Sequence, residues 1–79
     1  MSVELLDTIR QIISVQLHIS EEDISEDTLI MEELGADSLD VVEMLMSLED
    51  VTGIAVPDED VEQLRTPGDV VRYIEQNDR

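Results

Sequence analysis

The stretch Ser38-Leu39-Asp40-Val41-Val42-Glu43-Met44-Leu45-Met46-Ser47-Leu48-Glu49-Asp50-Val51 reads as a helix with apolar residues on two sides. At about 100° per residue, Val41, Met44, Leu45, Leu48 and Val51 gather on one face, the pattern of a core-facing stripe. Nearly opposite lie Leu39, Val42 and Met46, flanked by Glu43, Glu49 and Asp50. A helix in a small domain needs one apolar stripe for its core, so the second set requires its own explanation. It forms either a docking strip with an apolar centre and a charged rim, or a satellite cluster packed under a loop. Thr52-Gly53 ends the element.

Upstream, Gly35 supplies the backbone freedom to turn the chain just before Ser38. Residues 19–37 form a long polar connection pinned by Ile19, Ile24, Leu29, Ile30 and Leu34, and Ser20-Glu21-Glu22-Asp23 is suited to a short helical turn. A connection of this length is usually functional or packed as its own unit. Before it, Ser2 caps a first helix that ends near His18. Its apolar face is Val3, Leu6, Ile9, Ile13 and Leu17, widened by Leu5 and Ile12.

Downstream, Pro57-Asp58-Glu59-Asp60 starts a short third helix anchored by Val61 and Leu64, with acids complementing the N-terminal dipole. Thr66 then caps the last helix, with Pro67 at its first position and Asp69 completing a capping-box pattern. Pro67, Val70, Val71 and Ile74 make an i, i+3, i+4, i+7 face. No strand-like alternation or internal repeat interrupts this series. The predicted fold is all-α: a small four-helix bundle of three main helices and a short third one, with a long first loop.

The 79 residues predict one domain over 1–79, near the size at which a core is only marginally sufficient. Twenty-one acids oppose four arginines, a net charge of −17, which excludes ordinary nucleic-acid binding and favours a monomer. Apolar residues make up 42% of the chain and recur with helical period, which argues against disorder. There is no Cys, so any thiol chemistry must come from a cofactor. The opening ten residues do not resemble a targeting peptide. No apolar run approaches the roughly 20 residues of a membrane span. These features predict a soluble interior compartment, the cytoplasm or, for a mature form, an organelle matrix.

Ser38 is displayed without the equipment of a nucleophile. A catalytic serine needs an adjacent base; the single histidine, His18, falls in another predicted element, and the chain has no Lys. The serine therefore reads as an acceptor for a group attached by another enzyme, not as a catalytic residue. Four short helices also leave little room for a ligand cleft of usual size. A calcium loop fails, because counting from Asp58 puts Gln63 where glycine is required, so no metal site is expected. An acidic interaction module or nucleic-acid mimic remains an alternative of a different class, but it gives Ser38 no purpose.

Leu34-Gly35-Ala36-Asp37-Ser38-Leu39-Asp40, with Val42-Glu43 and Leu48-Glu49-Asp50, resembles the recognition helix of the acyl carrier protein family. Pro57-Asp58-Glu59-Asp60 and Thr66-Pro67-Gly68-Asp69-Val70-Val71-Arg72-Tyr73-Ile74 are similar to its later helices, so the resemblance spans nearly the whole chain. It implies that Ser38 carries covalent 4′-phosphopantetheine through a phosphodiester, and that acyl groups ride on the arm as thioesters. It further implies that Asp37, Asp40, Glu43, Glu49 and Asp50 contact the basic faces of partners, around the strip of Leu39, Val42 and Met46. Those partners are a phosphopantetheinyl transferase and the synthases, reductases and acyltransferases of fatty acid or polyketide synthesis. A peptidyl or aminoacyl carrier is the nearest alternative, and Ala36-Asp37 before the serine favours acyl chains.

Two features depart from the family pattern. Val51-Thr52-Gly53 stands where fatty-acid members often have an aromatic, and the chain has neither Lys, Phe nor Trp. Acyl length and pathway are left open by both. Tyr73, the single aromatic, is expected at a helix surface or core edge. Met44 and Met46 are expected as adaptable fillers near the attachment end. Asp37 and Asp40 oppose an anion at a helix N-terminus, which suggests that they orient the modifying enzyme and its magnesium-bound substrate.

Overall fold

A computed structural model describes residues 2–77. All regular elements among them are helical: α1 (Val3–Leu17), a 3-10 turn (Glu21–Asp23), α2 (Ser38–Thr52), α3 (Asp58–Val61) and α4 (Pro67–Asn77). The two ends of α1 are set locally. The Ser2 hydroxyl accepts from the Leu5 N–H, and His18 closes the helix in the left-handed region at φ 58°, its N–H donating to the Ser14 carbonyl. Glycine is the usual residue for that conformation, so His18 spends its place on ending a helix.

The core is made by α1, α2 and α4 with three residues from the long connection. Ile9 and Ile13 of α1, Met44 and Leu48 of α2, and Val70, Val71 and Ile74 of α4 are buried, together with Ile24, Ile30 and Ala36. Leu5, Leu6, Ile12, Leu17, Val41, Leu45 and Leu64 pack around them, partly buried. Val3 and Val51 do not join the core. Val3 is 71% exposed in the first turn of α1, and Val51 is 63% exposed in the last turn of α2. Both lie in terminal turns of their helices and stay exposed.

The connection from 19 to 37 is a packed unit. Ile24 is among the most deeply buried side chains. Arg10 reaches across from α1 and donates from Nε to the Ile24 carbonyl at 2.7 Å and from a terminal nitrogen to the Glu21 carbonyl at 2.6 Å. Further on, the Ile30 N–H donates to the Arg65 carbonyl, and the Gly68 N–H donates to the Glu26 carbonyl at 2.9 Å. A Cβ on Gly68 would stand 3.0 Å from that same Glu26 oxygen, so any larger residue would push the loop and α4 apart by a few tenths of an ångström, and the close approach favours glycine. Gly35 then turns the chain into α2 with φ 74°.

The later helices follow their sequence signals. The Asp69 N–H donates to the Thr66 hydroxyl at 3.1 Å, and the Thr66 N–H donates to the Asp69 carboxylate at 3.2 Å, a reciprocal cap with Asp in the place of Glu. Burial pushes the Asp69 carboxyl up, but hydrogen bonds from Arg72, from the Arg65 and Thr66 N–H groups and from the Thr66 side chain outweigh it. They hold Asp69 below the usual carboxylate range. By contrast α3 is four residues long, has no side-chain cap and buries nothing fully. Its side-chain link to α4 is the Tyr73 hydroxyl, which donates to the Asp60 carboxylate at 2.9 Å.

Candidate functional site

Ser38 occupies the first position of α2, and Asp37 is the N-cap. The Asp37 carboxylate accepts from the Asp40 N–H at 2.9 Å, and the Asp40 carboxylate accepts from the Asp37 N–H at 3.2 Å. Both acids thus hold the helix end in the resting protein. This adds a capping role to the partner-directed one expected from their charge: carboxylates at an N-terminus satisfy unpaired N–H groups and the positive end of the dipole. With the two Asp N–H groups satisfied by the cap, Ser38 stands exposed beside them, its hydroxyl without a hydrogen bond among the described residues.

The two sides of α2 separate as the periodicity requires. Met44 and Leu48 are buried, with Val41 and Leu45 half-buried beside them. Leu39 is 65% exposed, Val42 48% and Met46 61%, so these residues do not pack under the long loop. Met46 is therefore no core filler; that role falls to Met44 alone of the two. Glu43, Glu49 and Asp50 are exposed along the same helix. The apolar strip and the acids predicted to flank it share one exposed side of α2, with Ser38 at its N-terminal end.

Gln16 was not among the residues singled out from the sequence. It reaches from α1 and donates from Nε2 to the Glu43 carboxylate at 2.7 Å, with Asp40 at 3.5 Å. A lone glutamine on a helix carries no signal of this in sequence, because the pairing depends on how α1 and α2 cross. Arg65 was likewise missed. It borders a groove between the α2 and α3 regions whose wall includes Ser38, Val42 and Val61.

Residues 7–74 match the family described as "Phosphopantetheine attachment site". The acyl carrier protein of Wolinella succinogenes is 48% identical over 73 residues, which is 92% of this chain and 96% of that protein. The chain belongs to the acyl carrier protein family. The acyl carrier protein of a Sulfurovum species is 42% identical over 71 residues, 90% of this chain and 95% of its own. The solved structure of acyl carrier protein from Enterococcus faecalis superposes with a TM-score of 0.79 at 36% identity, covering 94% of each chain. The all-helical architecture is that of the family, and so is the function in outline: acyl carrier proteins carry and do not catalyse, so this chain is not an enzyme. No helix among the described residues is long and apolar enough to cross a membrane.

The residues at the N-terminus of α2 fit the prosthetic group of the family. Its attachment needs an accessible hydroxyl, which Ser38 offers at the helix end. Its phosphodiester favours nearby N–H donors; those of Ser38 and Leu39 are first-turn groups with no partner among the described residues. An open groove of about 490 Å³, with Ser38 among its lining residues, leaves space for an attached arm.

Proposed function

We propose that the chain is a single acyl carrier domain in which Ser38 bears 4′-phosphopantetheine through a phosphodiester. The arm supplies the thiol that this Cys-free chain lacks, and acyl intermediates are held there as thioesters. The protein raises the effective concentration of its cargo at each client enzyme instead of acting on it. Asp37, Asp40, Glu43, Glu49 and Asp50 present negative charge to the basic faces of a phosphopantetheinyl transferase and of synthases, reductases and acyltransferases. Leu39, Val42 and Met46 supply the apolar centre of that contact. Fatty acid or polyketide synthesis is the setting, with a cytoplasmic monomer as the working form.

The observation that carries this reading is the position of Ser38: exposed, unactivated, at the first residue of a firmly capped helix, and heading a strip of exposed apolar side chains among carboxylates. Intact mass measured after incubation with coenzyme A and a broad-specificity transferase tests it. One pantetheine phosphate is expected on the native chain and none on Ser38→Ala. The variant should remain folded, because Asp37 and not Ser38 caps the helix; a substitution at an exposed, unbonded position usually changes stability by no more than about 0.5 kcal/mol. An alanine variant that still gains the mass moves the attachment elsewhere. A native chain that gains nothing returns the acidic interaction module to consideration.

A further inference from the structure

Arg65 stands apart from the other described arginines. Arg10 is committed to Asp7 and to two loop carbonyls, and Arg72 pairs with Asp69 at 2.6 Å. The Arg65 guanidinium makes no ion pair or hydrogen bond among the described residues, although it borders the same groove as Glu32, Asp58 and Glu62. Its backbone, however, is firmly held. The Arg65 carbonyl accepts from the Ile30 N–H at 3.0 Å, its N–H donates to Asp69 at 3.2 Å, and the Ile30 carbonyl accepts from Ala36, two residues before Ser38. The root of the side chain is thus tied to the segment that delivers the serine.

The groove has a volume of about 490 Å³, within the range of small-molecule sites. Met31, Val42, Val61 and Leu64 give it an apolar wall, and Ser38 also lines it. Every other charged group lining it is a carboxylate. A phosphodiester attached to Ser38 adds negative charge to this acidic place, and one cation shares the groove with it. A guanidinium suits this role, since its planar fork matches two phosphate oxygens.

We propose that Arg65 is the intramolecular counter-ion of the Ser38 phosphodiester, and that it holds the pantetheine arm in the groove against Val61 and Leu64. This rests on the reading of Ser38 given above. The test uses the full-length chain loaded from isotope-labelled coenzyme A, with loading verified by mass, for the native protein and for Arg65→Gln, Arg65→Lys and Arg72→Gln. The native form should show NOEs from the methyl groups of the arm to the Val61 and Leu64 methyls. Arg65→Gln should lose these cross-peaks and shift the phosphorus-31 resonance. Arg65→Lys should keep part of both effects, and Arg72→Gln, which alters net charge equally, should leave both at native values. Circular dichroism separates these outcomes from unfolding. A phosphorus resonance identical in native and Arg65→Gln proteins, an equal shift in Arg72→Gln, or the absence of NOEs in the native form overturns the proposal. Failure of the native chain to gain mass overturns the reading of Ser38 itself.

Discussion

The carboxylates of Asp37 and Asp40 each accept the other residue's backbone N–H, at 2.9 and 3.2 Å, across the first turn of the helix that carries Ser38. Two negative side chains are thereby held close together in a chain of net charge −17. Their repulsion is offset by two otherwise unpaired N–H groups and by the helix dipole. Charge and capping can be separated by substitution. Asp37→Ala should lower unfolding free energy by about 1 kcal/mol, whereas Asp37→Asn, a comparably good cap, should stay near native. Urea titration followed by circular dichroism reads both. If the asparagine variant is stable yet loads slowly with a transferase, the charge of Asp37 serves the partner in addition to the fold.

Tyr73 offers a probe without background, because it is the only aromatic residue in the chain. Its hydrogen bond to Asp60, together with partial burial and the negative charges of Asp60 and Glu59, raises its pKa above the ordinary value of 10.0. All three effects favour the neutral phenol in the folded state. The sign of the linkage follows: this contribution to stability is complete below the unfolded pKa of about 10 and is lost as pH rises through the higher folded value. Ultraviolet titration of phenolate should give an apparent pKa above 10 in the native chain and one closer to 10 in Asp60→Asn. Equal titration curves would mean that the contact between α3 and α4 is not maintained in solution.

Much of this architecture is legible in order of sequence because its signals are local. Ser2, Thr66 and Asp69 act as caps, Gly35 takes positive φ, and the face of Val70, Val71 and Ile74 is buried. What escaped is set by contacts distant in sequence. The long connection owes its order to Arg10 bonding the Ile24 and Glu21 carbonyls, and to Gly68 meeting Glu26. Neither pairing has a spacing that a sequence displays. Periodicity also assigned Val3 and Val51 to the core face, yet both are exposed in terminal turns, since a helical wheel has no information about what covers each turn. At the site, the two faces of α2 were readable from period alone. The capping role of Asp37 was hidden because Ser38, itself a good cap residue, stood next to it.

Recognition by charge gives a kinetic expectation. Glu43 is steadied by the Gln16 amide at 2.7 Å, and Glu49 lies exposed further along α2. Glu43→Lys combined with Glu49→Lys should slow association with a basic transferase at low salt. The native rate should fall as ionic strength rises, and the reversed chain should show a weaker dependence. Stopped-flow binding at a series of salt concentrations provides the comparison. A native rate indifferent to both salt and reversal leaves these acids with solubility as their only role.

The last expectation concerns where an acyl chain lies once it is attached. Between α1, α2 and the loop there is an apolar cavity of about 40 Å³, bordered by Ile9, Ile13, Ile30, Met44, Leu48 and Leu64. A single water needs roughly 10–15 Å³ by the same kind of measure, so this space accepts only a few atoms as it stands. A medium-length chain must therefore part the helices to enter. The core favours that, since it contains no Phe or Trp and includes an adaptable thioether at Met44. Each CH₂ withdrawn from water contributes about 0.8 kcal/mol, which accumulates against the cost of widening the cavity. The octanoyl form should consequently melt at a higher temperature than the form with a free thiol. Methyl NMR discriminates the path: the Met44 signal should move on acylation, while that of Met46, on the exposed side of α2, should stay in place. Equal melting temperatures with an unmoved Met44 would place the cargo outside the core, and a shift at Met46 alone would place it along the docking strip.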